Sequence, residues 1–342
     1  MMSTSKITYA KALNTALRDA LTEDDDVLVM GEDVGALGGV FRITDGLTRD
    51  FGEDRCIDTP LAEAGIAGFA VGLAMQGFRP VVEMQFDAFG YPAFEQVTSH
   101  IAKMRNRTRG ALPMPLVIRI PYAGGIGGVE HHCDSSEGYY VHTPGLHVVT
   151  PATPADAYSL LRESIASDDP VVFMEPKSQY YTKADLELPT STEPIGQAAV
   201  RREGADVTLI TYGPQLPSAL KAAEVAAAEE DWDVEVIDLR SLVPFDDATV
   251  EASVRKTGRA VVLAEAQSFA GMGAEIAARV QERCFHSLAA PVLRVSGLDI
   301  PYPPPKLEHT HLPGVDRILD TIARLQWDDE PDHTHTPAEV SA

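Results

Sequence analysis

Positive charge is scarce in this chain. Across 342 residues, 28 Lys and Arg face 51 Asp and Glu, a formal net charge of −23. So acidic a chain repels phosphate backbones and anionic bilayers, which argues against nucleic acid and the membrane surface as partners. Cysteine is scarcer still. Cys56, Cys133 and Cys284 are odd in number, far apart and without a CxxC pair, so neither a disulfide framework nor a zinc site is expected. No apolar run approaches the ~20 residues of a membrane span. Residues 1–6 are polar where a signal peptide would be apolar, and the expected location is cytoplasmic. No internal repeat is visible.

What is present is ordinary for a globular protein: 44% hydrophobic and 23% charged residues, in a length that predicts about two domains. Two blocks of alternating strand and helix signals follow one another. The first predicts helices over 9–22, 61–75, 93–106 and 155–167, with strands over 27–31, 80–86, 115–120, 148–150 and 171–175. The turn-rich stretch 176–198 nearly lacks apolar periodicity, and a linker is placed at 181–198. The second block predicts strands over 206–212, 234–238, 260–265 and 291–295, with helices over 216–229, 247–257, 273–285 and 315–325. The alternation predicts an α/β protein of two doubly wound domains, 5–180 and 199–327, with parallel sheets covered by helices. The acidic, His- and Pro-rich end, 328–342, is expected to be a disordered tail.

One carboxylate stands out. In DTPLAEAGIAGFAVGLAM, Glu63 is the only charged residue of an otherwise apolar helical pattern. Thr59 before Pro60 reads as the helix start. A helix apolar on all sides is buried, and a buried carboxylate needs a partner or gains proton affinity. The structural alternative is a capping box, which needs Glu at the third helical position; from Thr59, Glu63 falls at the fourth. The second feature is the loop YAGGIGGVEHHCDSSEG. It fails as a dinucleotide fingerprint, because after Gly125 and Gly127 the next glycine would be needed where Glu130 stands, and it lacks a Walker lysine. The glycines are read as letting backbone pass close to a ligand or a second chain. His131 and His132 are adjacent, so they do not share a helix face for a metal. They are either a surface pair or proton-transfer groups.

GEDVGALGGVFRITDGL, DTPLAEAGIAGFAVGLAMQGFRPVVEMQF, VHTPGLHVVTP and VIDLRSLVPFD together resemble the beta subunit of the thiamine-diphosphate-dependent 2-oxo acid dehydrogenases, colinearly over residues 7–326. The resemblance implies a transketolase-like pyrimidine-binding domain followed by a transketolase C-terminal domain. It implies that Glu63 hydrogen-bonds the cofactor's aminopyrimidine and drives it to the imino form that deprotonates the thiazolium carbon. Phe89, twenty-six residues after Glu63, would stack on the pyrimidine, with Phe86 and Phe94 left as core aromatics or alternatives. His132, twelve residues before Pro144, would handle substrate and acyl transfer to lipoate, although Cys133 and Asp134 follow it where relatives often carry Ser-Gln. His142 is a lesser candidate. Leu116, Ser164, Ser167 and Asp169 match positions that hold a structural potassium in some members.

No Gly-Asp-Gly, the superfamily's magnesium and diphosphate motif, occurs anywhere in the chain. The resemblance therefore implies half a site: thiamine diphosphate is held here by its aminopyrimidine, and an alpha subunit holds magnesium and diphosphate in an alpha2-beta2 heterotetramer. The expected activity is oxidative decarboxylation of a branched-chain 2-oxo acid such as 3-methyl-2-oxobutanoate, with acyl transfer to a lipoyl-bearing acyltransferase core. FGYPAFEQ and MEPK point to the branched-chain members. The alternatives are a pyruvate or acetoin dehydrogenase subunit, a non-catalytic assembly subunit, and an NAD-binding protein, the last opposed by the broken glycine fingerprint.

Overall fold

Fourteen short strands form in a computed structural model that describes residues 5–326. They are β1 Ser5–Thr8, β2 Val27–Gly31, β3 Cys56–Asp58, β4 Arg79–Glu83, β5 Val117–Tyr122, β6 His147–Val149 and β7 Val171–Pro176, then β8 Lys183–Leu186, β9 Ala199–Arg202, β10 Val207–Thr211, β11 Val234–Asp238, β12 Ser241–Val243, β13 Ala260–Gln267 and β14 Leu293–Gly297. A seven-stranded sheet runs β12-β6-β7-β5-β4-β2-β3 and a five-stranded sheet runs β14-β13-β10-β11-β9. All neighbours are parallel except β12 on β6 and β9 on β11. Every residue of β2, β5 and β7 is buried, as parallel strands covered by helices require.

The two sheets share a core. Val82, Ile118 and Val172 of the first sheet lie in one cluster with Ile210, Ile237 and Val262 of the second. The outer face of the first sheet is closed by helices Tyr9–Glu23 and Pro154–Ala166, and that of the second by Leu216–Glu229 and Val315–Ala323. The chain also crosses between them: β12, which follows β11 of the second sheet, pairs Ser241 with Val149 of the first. Beside the crossing, Arg240 Nε donates to Asp156 Oδ1 at 2.7 Å, and Arg201 bonds Asp238 Oδ2 at 2.9 Å and also Asp156. Against the cost of burial, Arg201 and Arg240 hold Asp156 below the usual carboxylate range. Asp238 is pushed up to about 6 by burial despite Arg201.

Inside the first sheet Arg119 is fully buried between two carboxylates. Its Nε and Nη2 meet the Glu175 oxygens at 2.6 and 3.0 Å, and its Nη1 meets Glu83 Oε2 at 2.6 Å. Tyr180 OH donates to Glu175 at 2.7 Å.

Three expectations change. The stretch placed in the linker contains β8, which pairs antiparallel with β1, because the outward-facing residues of a two-stranded ribbon carry no apolar signature. The helix expected over 93–106 is broken into Phe94–Gln96, a wide turn Val97–Ile101 and Met104–Arg107. The helix expected over 61–75 begins only at Glu63. The expected tail and residues 1–4 lie outside the described residues. Among those described, no helix is long and apolar enough to cross a membrane.

Candidate active site

The loops leaving the carboxyl ends of β2, β3, β4, β5 and β7 gather along one edge of the seven-stranded sheet, where ligands of open α/β sheets bind. Glu63 follows β3. The Thr59 amide donates to Gly31 O at 2.9 Å, which prolongs the strand pairing and keeps residues 59–62 out of the helix. Thr59 therefore does not cap. Ala62 occupies that place with φ −160°, and Glu63 is the first helical residue, where the helix dipole favours a carboxylate. It is half-buried, and no described residue donates a hydrogen bond to it. Ile66, Ala67, Ala70 and Val71 of its helix are buried, while Leu61 just ahead of it and Phe69 are 80% and 58% exposed. The all-round apolar pattern belongs to two faces, one on the sheet and one open in this chain, so the complete burial expected of the helix is not found.

Glu32, at the end of β2, is the residue that sequence reasoning passed over. Burial first, then the Glu63 and Asp33 carboxylates, raise it to about 7, and its Oε1 is buried with no partner. Two neighbouring carboxylates of which one is protonated near neutrality can hold and pass a single proton. The signal was available, since Glu32 is the middle residue of the GED that opens the first resembling segment.

The loops after β4 and β5 bring the aromatic and imidazole rings together. Phe86 meets His132 edge-on with centroids 4.2 Å apart, and Phe89 lies 5.6 Å from His132 and 5.8 Å from Phe86. His131 and His132 lie on one short turn, Glu130–His132. Their rings are 4.3 Å apart, and His131 also reaches Phe89 at 6.1 Å, so the two imidazoles share a site although they could not share a helix face. Burial, His131 and Lys177 hold His132 below the ordinary histidine range, and its Nδ1 is buried without a partner. Lys177 Nζ, likewise buried and without a hydrogen bond, sits 5.9 Å over the Phe86 ring. Both oxygens of the fully buried Asp87 also lack partners. Lys177 closes MEPK and Asp87 stands two residues before FGYPAFEQ, yet nothing in either stretch marks a charge to be buried.

The glycines bring the loop against this chain's own C-terminal half. Gly124 N donates to Glu265 Oε1 at 2.5 Å, Gly125 N to Tyr302 OH at 3.3 Å and Gly127 N to Glu308 Oε2 at 3.0 Å. The Tyr302 hydroxyl fills the space a Gly124 side chain would need. After His132, Cys133 is buried under Gly128 and Asp134 accepts from Tyr91 OH at 3.1 Å. His142 is apart from the ring cluster. It is exposed and lines a cleft of ≈1420 Å³ between the two halves, beside Tyr139 and Phe269. Phe94 packs on Tyr139 and Tyr140 with centroids 6.0 and 5.8 Å away.

The residues matched to potassium lie at the opposite, amino end of the sheet, just before β5 and β7. Ser167 O accepts from Arg79 Nη1 at 3.0 Å, Leu116 O from Val171 N at 3.0 Å and Ser164 O from Ser167 N at 3.3 Å. Asp169 O accepts from Ser167 Oγ at 3.1 Å, and the Asp169 carboxylate pairs with Arg105. Each of these carbonyls accepts a hydrogen bond from the chain itself, and the Arg79 and Arg105 guanidinium groups stand beside the set. Among the described residues no group of three or more His, Cys, Asp or Glu could hold a metal. By contrast, the free Glu63 carboxyl, the orphaned Glu32 oxygen and the apolar rings of Phe86 and Phe89 fit an uncharged aminopyrimidine.

Comparisons with known proteins give the family. A family model for the transketolase pyrimidine-binding domain matches residues 5–183, and one for the transketolase C-terminal domain matches residues 196–318. The 3-methyl-2-oxobutanoate dehydrogenase subunit beta of Mycobacterium tuberculosis is 55% identical over 322 residues, 94% of this chain and 92% of the relative. The pyruvate dehydrogenase E1 component subunit beta of Leifsonia xyli subsp. xyli is 54% identical over 314 residues, 92% of this chain and 93% of the relative. Among solved structures, a split-gene transketolase described as an inactive beta4 tetramer superposes with TM-score 0.76 at 22% identity, covering 94% of this chain and 98% of that one. That likeness speaks for the fold.

Proposed function

Because the chain belongs to the beta-subunit family of the thiamine-dependent 2-oxo acid dehydrogenases, we propose that it supplies the aminopyrimidine half of an active site shared with an alpha subunit. The enzyme so formed decarboxylates branched-chain 2-oxo acids and passes the acyl group to protein-bound lipoyl. In this reading residues 5–180 are the pyrimidine-binding domain, 181–198 the connection and 199–327 the C-terminal domain. The observation that carries it is the Glu63–Glu32 pair at the head of an apolar helix, on the same sheet edge as Phe89 and His132.

Thiamine diphosphate, when bound, would supply a nucleophilic carbon and an electron sink for the decarboxylation. This chain's residues prepare and follow that chemistry. Glu63 presents a carboxyl to a ring nitrogen and holds the proton there, with Glu32 as the neighbour that exchanges it. Phe89 offers an apolar face to the pyrimidine. His132, seated against Phe86 and Phe89, gives a proton to the opening dithiolane sulfur. Magnesium and diphosphate fall to the alpha subunit, since the chain lacks Gly-Asp-Gly. We propose an alpha2-beta2 assembly serving a lipoyl-bearing acyltransferase core.

FGYPAFEQ and MEPK favour the branched-chain substrate, and the pyruvate relative at 54% identity favours a second reading, pyruvate. The test is the chain assembled with an alpha subunit that carries the Gly-Asp-Gly motif. A higher kcat/KM for 3-methyl-2-oxobutanoate than for pyruvate or acetoin supports the first reading, and the reverse order replaces it. The lone chain is expected to bind no thiamine diphosphate in magnesium calorimetry. Tight binding by the lone chain would remove the half-site argument.

A further inference from the structure

The segment that carries His131 and His132 leaves and returns at one carboxylate. Glu265, in β13 of the second sheet, accepts from Gly124 N at 2.5 Å where the segment departs and from Ser135 Oγ at 3.4 Å where it comes back. The backbone closes the same neck, with Ala123 N donating to Asp134 O at 2.8 Å. Tyr302 and Glu308 hold the outgoing strand at Gly125 and Gly127. From the N-terminal half, Tyr91 OH donates to Asp134 Oδ2 at 3.1 Å. The acceptors named above come from the other half of the chain, at least 130 residues away in sequence for Glu265 and more than 170 for the other two.

We propose that Glu265 is a positioning residue for His132: by tying both ends of residues 124–135 it lets the C-terminal half set where the imidazole stands for acyl transfer. The inference rests on the role given to His132 above. A carboxylate grips an amide about twice as strongly as a neutral oxygen does, so the tie depends on ionisation. Burial raises Glu265 to about 7, opposed by the Gly124 amide and Lys177 and reinforced by Glu137. Gln215 also faces it, as do Tyr122, Tyr212 and Tyr302 from the surrounding elements. The segment is therefore held more firmly as pH rises through 7 and less firmly below it.

The test uses the assembled alpha2-beta2 enzyme carrying Glu265→Gln or Tyr302→Phe, read by amide hydrogen exchange over 123–135 at pH 6 and pH 8, corrected for intrinsic exchange. Wild-type protection at Gly124 is expected to rise between the two, and Glu265→Gln to abolish the rise. Tyr302→Phe, which removes one hydroxyl, should lower protection at Gly125 alone and decides the matter if the Gln variant does not assemble. Lipoyl acylation by Glu265→Gln is expected to fall about tenfold more than decarboxylation read with an artificial electron acceptor. Wild-type protection in the Gln variant, or in Tyr302→Phe, overturns the clamp. Lost protection with equal losses in both assays leaves the clamp standing and overturns the acyl-transfer role of His132.

Discussion

The imidazoles of His131 and His132 lie 4.3 Å apart, and both face the Phe89 ring. Neighbouring residues on a tight turn do not simply point opposite ways here, so His131 is not an inert control for its neighbour. Its proximity is one reason His132 protonates below the ordinary histidine range, after burial and ahead of Lys177.

Replacing His132 with Ala is expected to lower the overall, lipoyl-coupled reaction by about 10²-fold and decarboxylation with an artificial acceptor by much less. His131→Ala should leave a larger share of the coupled activity. It should also move the pH profile of acyl transfer to higher pH, since a group that disfavours the His132 proton is removed. Both variants run through both assays check this. A larger loss at His131 would exchange the two roles.

Glu63→Gln keeps the side-chain shape but cannot hold the carboxyl proton. Assembly should survive, and turnover should drop at least ~10²-fold. The deciding measurement is exchange of the thiazolium proton in the assembled enzyme, and wild-type exchange in the Gln variant would remove Glu63 from cofactor activation.

Glu32 binds its proton more tightly folded than unfolded, with about 7 against the ordinary 4.5. A carboxyl raised by folding costs stability as pH climbs from its unfolded value, and the full cost is reached above its folded value. Glu32→Gln should therefore raise the thermal midpoint at pH 8 more than at pH 5. Equal shifts at the two pH values would contradict the assignment.

Arg119→Met strands Glu83 and Glu175, both buried, without their shared cation. Removing one partner from such a buried set costs about 3–5 kcal/mol, measurable by urea unfolding. Adding Glu175→Gln to the Met variant should return part of the loss, because one uncompensated charge disappears.

Much of the fold was legible where local signals agree. The second-block helix Asp247–Thr257 follows an Asp246 cap whose side chain accepts from the Thr249 amide, and it ends at Gly258 in the left-handed region. Helix Leu216–Glu229 and strand Val234–Asp238 also fall where the pattern placed them. What was missed depends on the rest of the chain. The short strands β3, β9 and β12 have no apolar run of their own and exist because a neighbour pairs with them. The helix start moved from Thr59 to Glu63 because Gly31, twenty-eight residues earlier, captures the Thr59 amide. Glu63 stands out as the lone charge of an apolar helical pattern and His132 by its place after the glycine loop, while Phe89 enters only through the resemblance. Glu32 and Lys177 follow β2 and β7, which the sheet order brings to one edge, and Glu265 reaches the site from β13 of the other sheet.

The crossing of β12 decides how this molecule comes apart. Ser241–Val243 closes the edge of the seven-stranded sheet although it is contributed by sequence beyond 198. A fragment ending in the connection would bare the backbone row of β6, a template for edge-to-edge aggregation. It would also uncover the core face shared with Ile210, Ile237 and Val262. Heat or denaturant should therefore find one cooperative transition across both halves, and proteolytic nicking near 190 should leave the two pieces bound together until the whole unfolds.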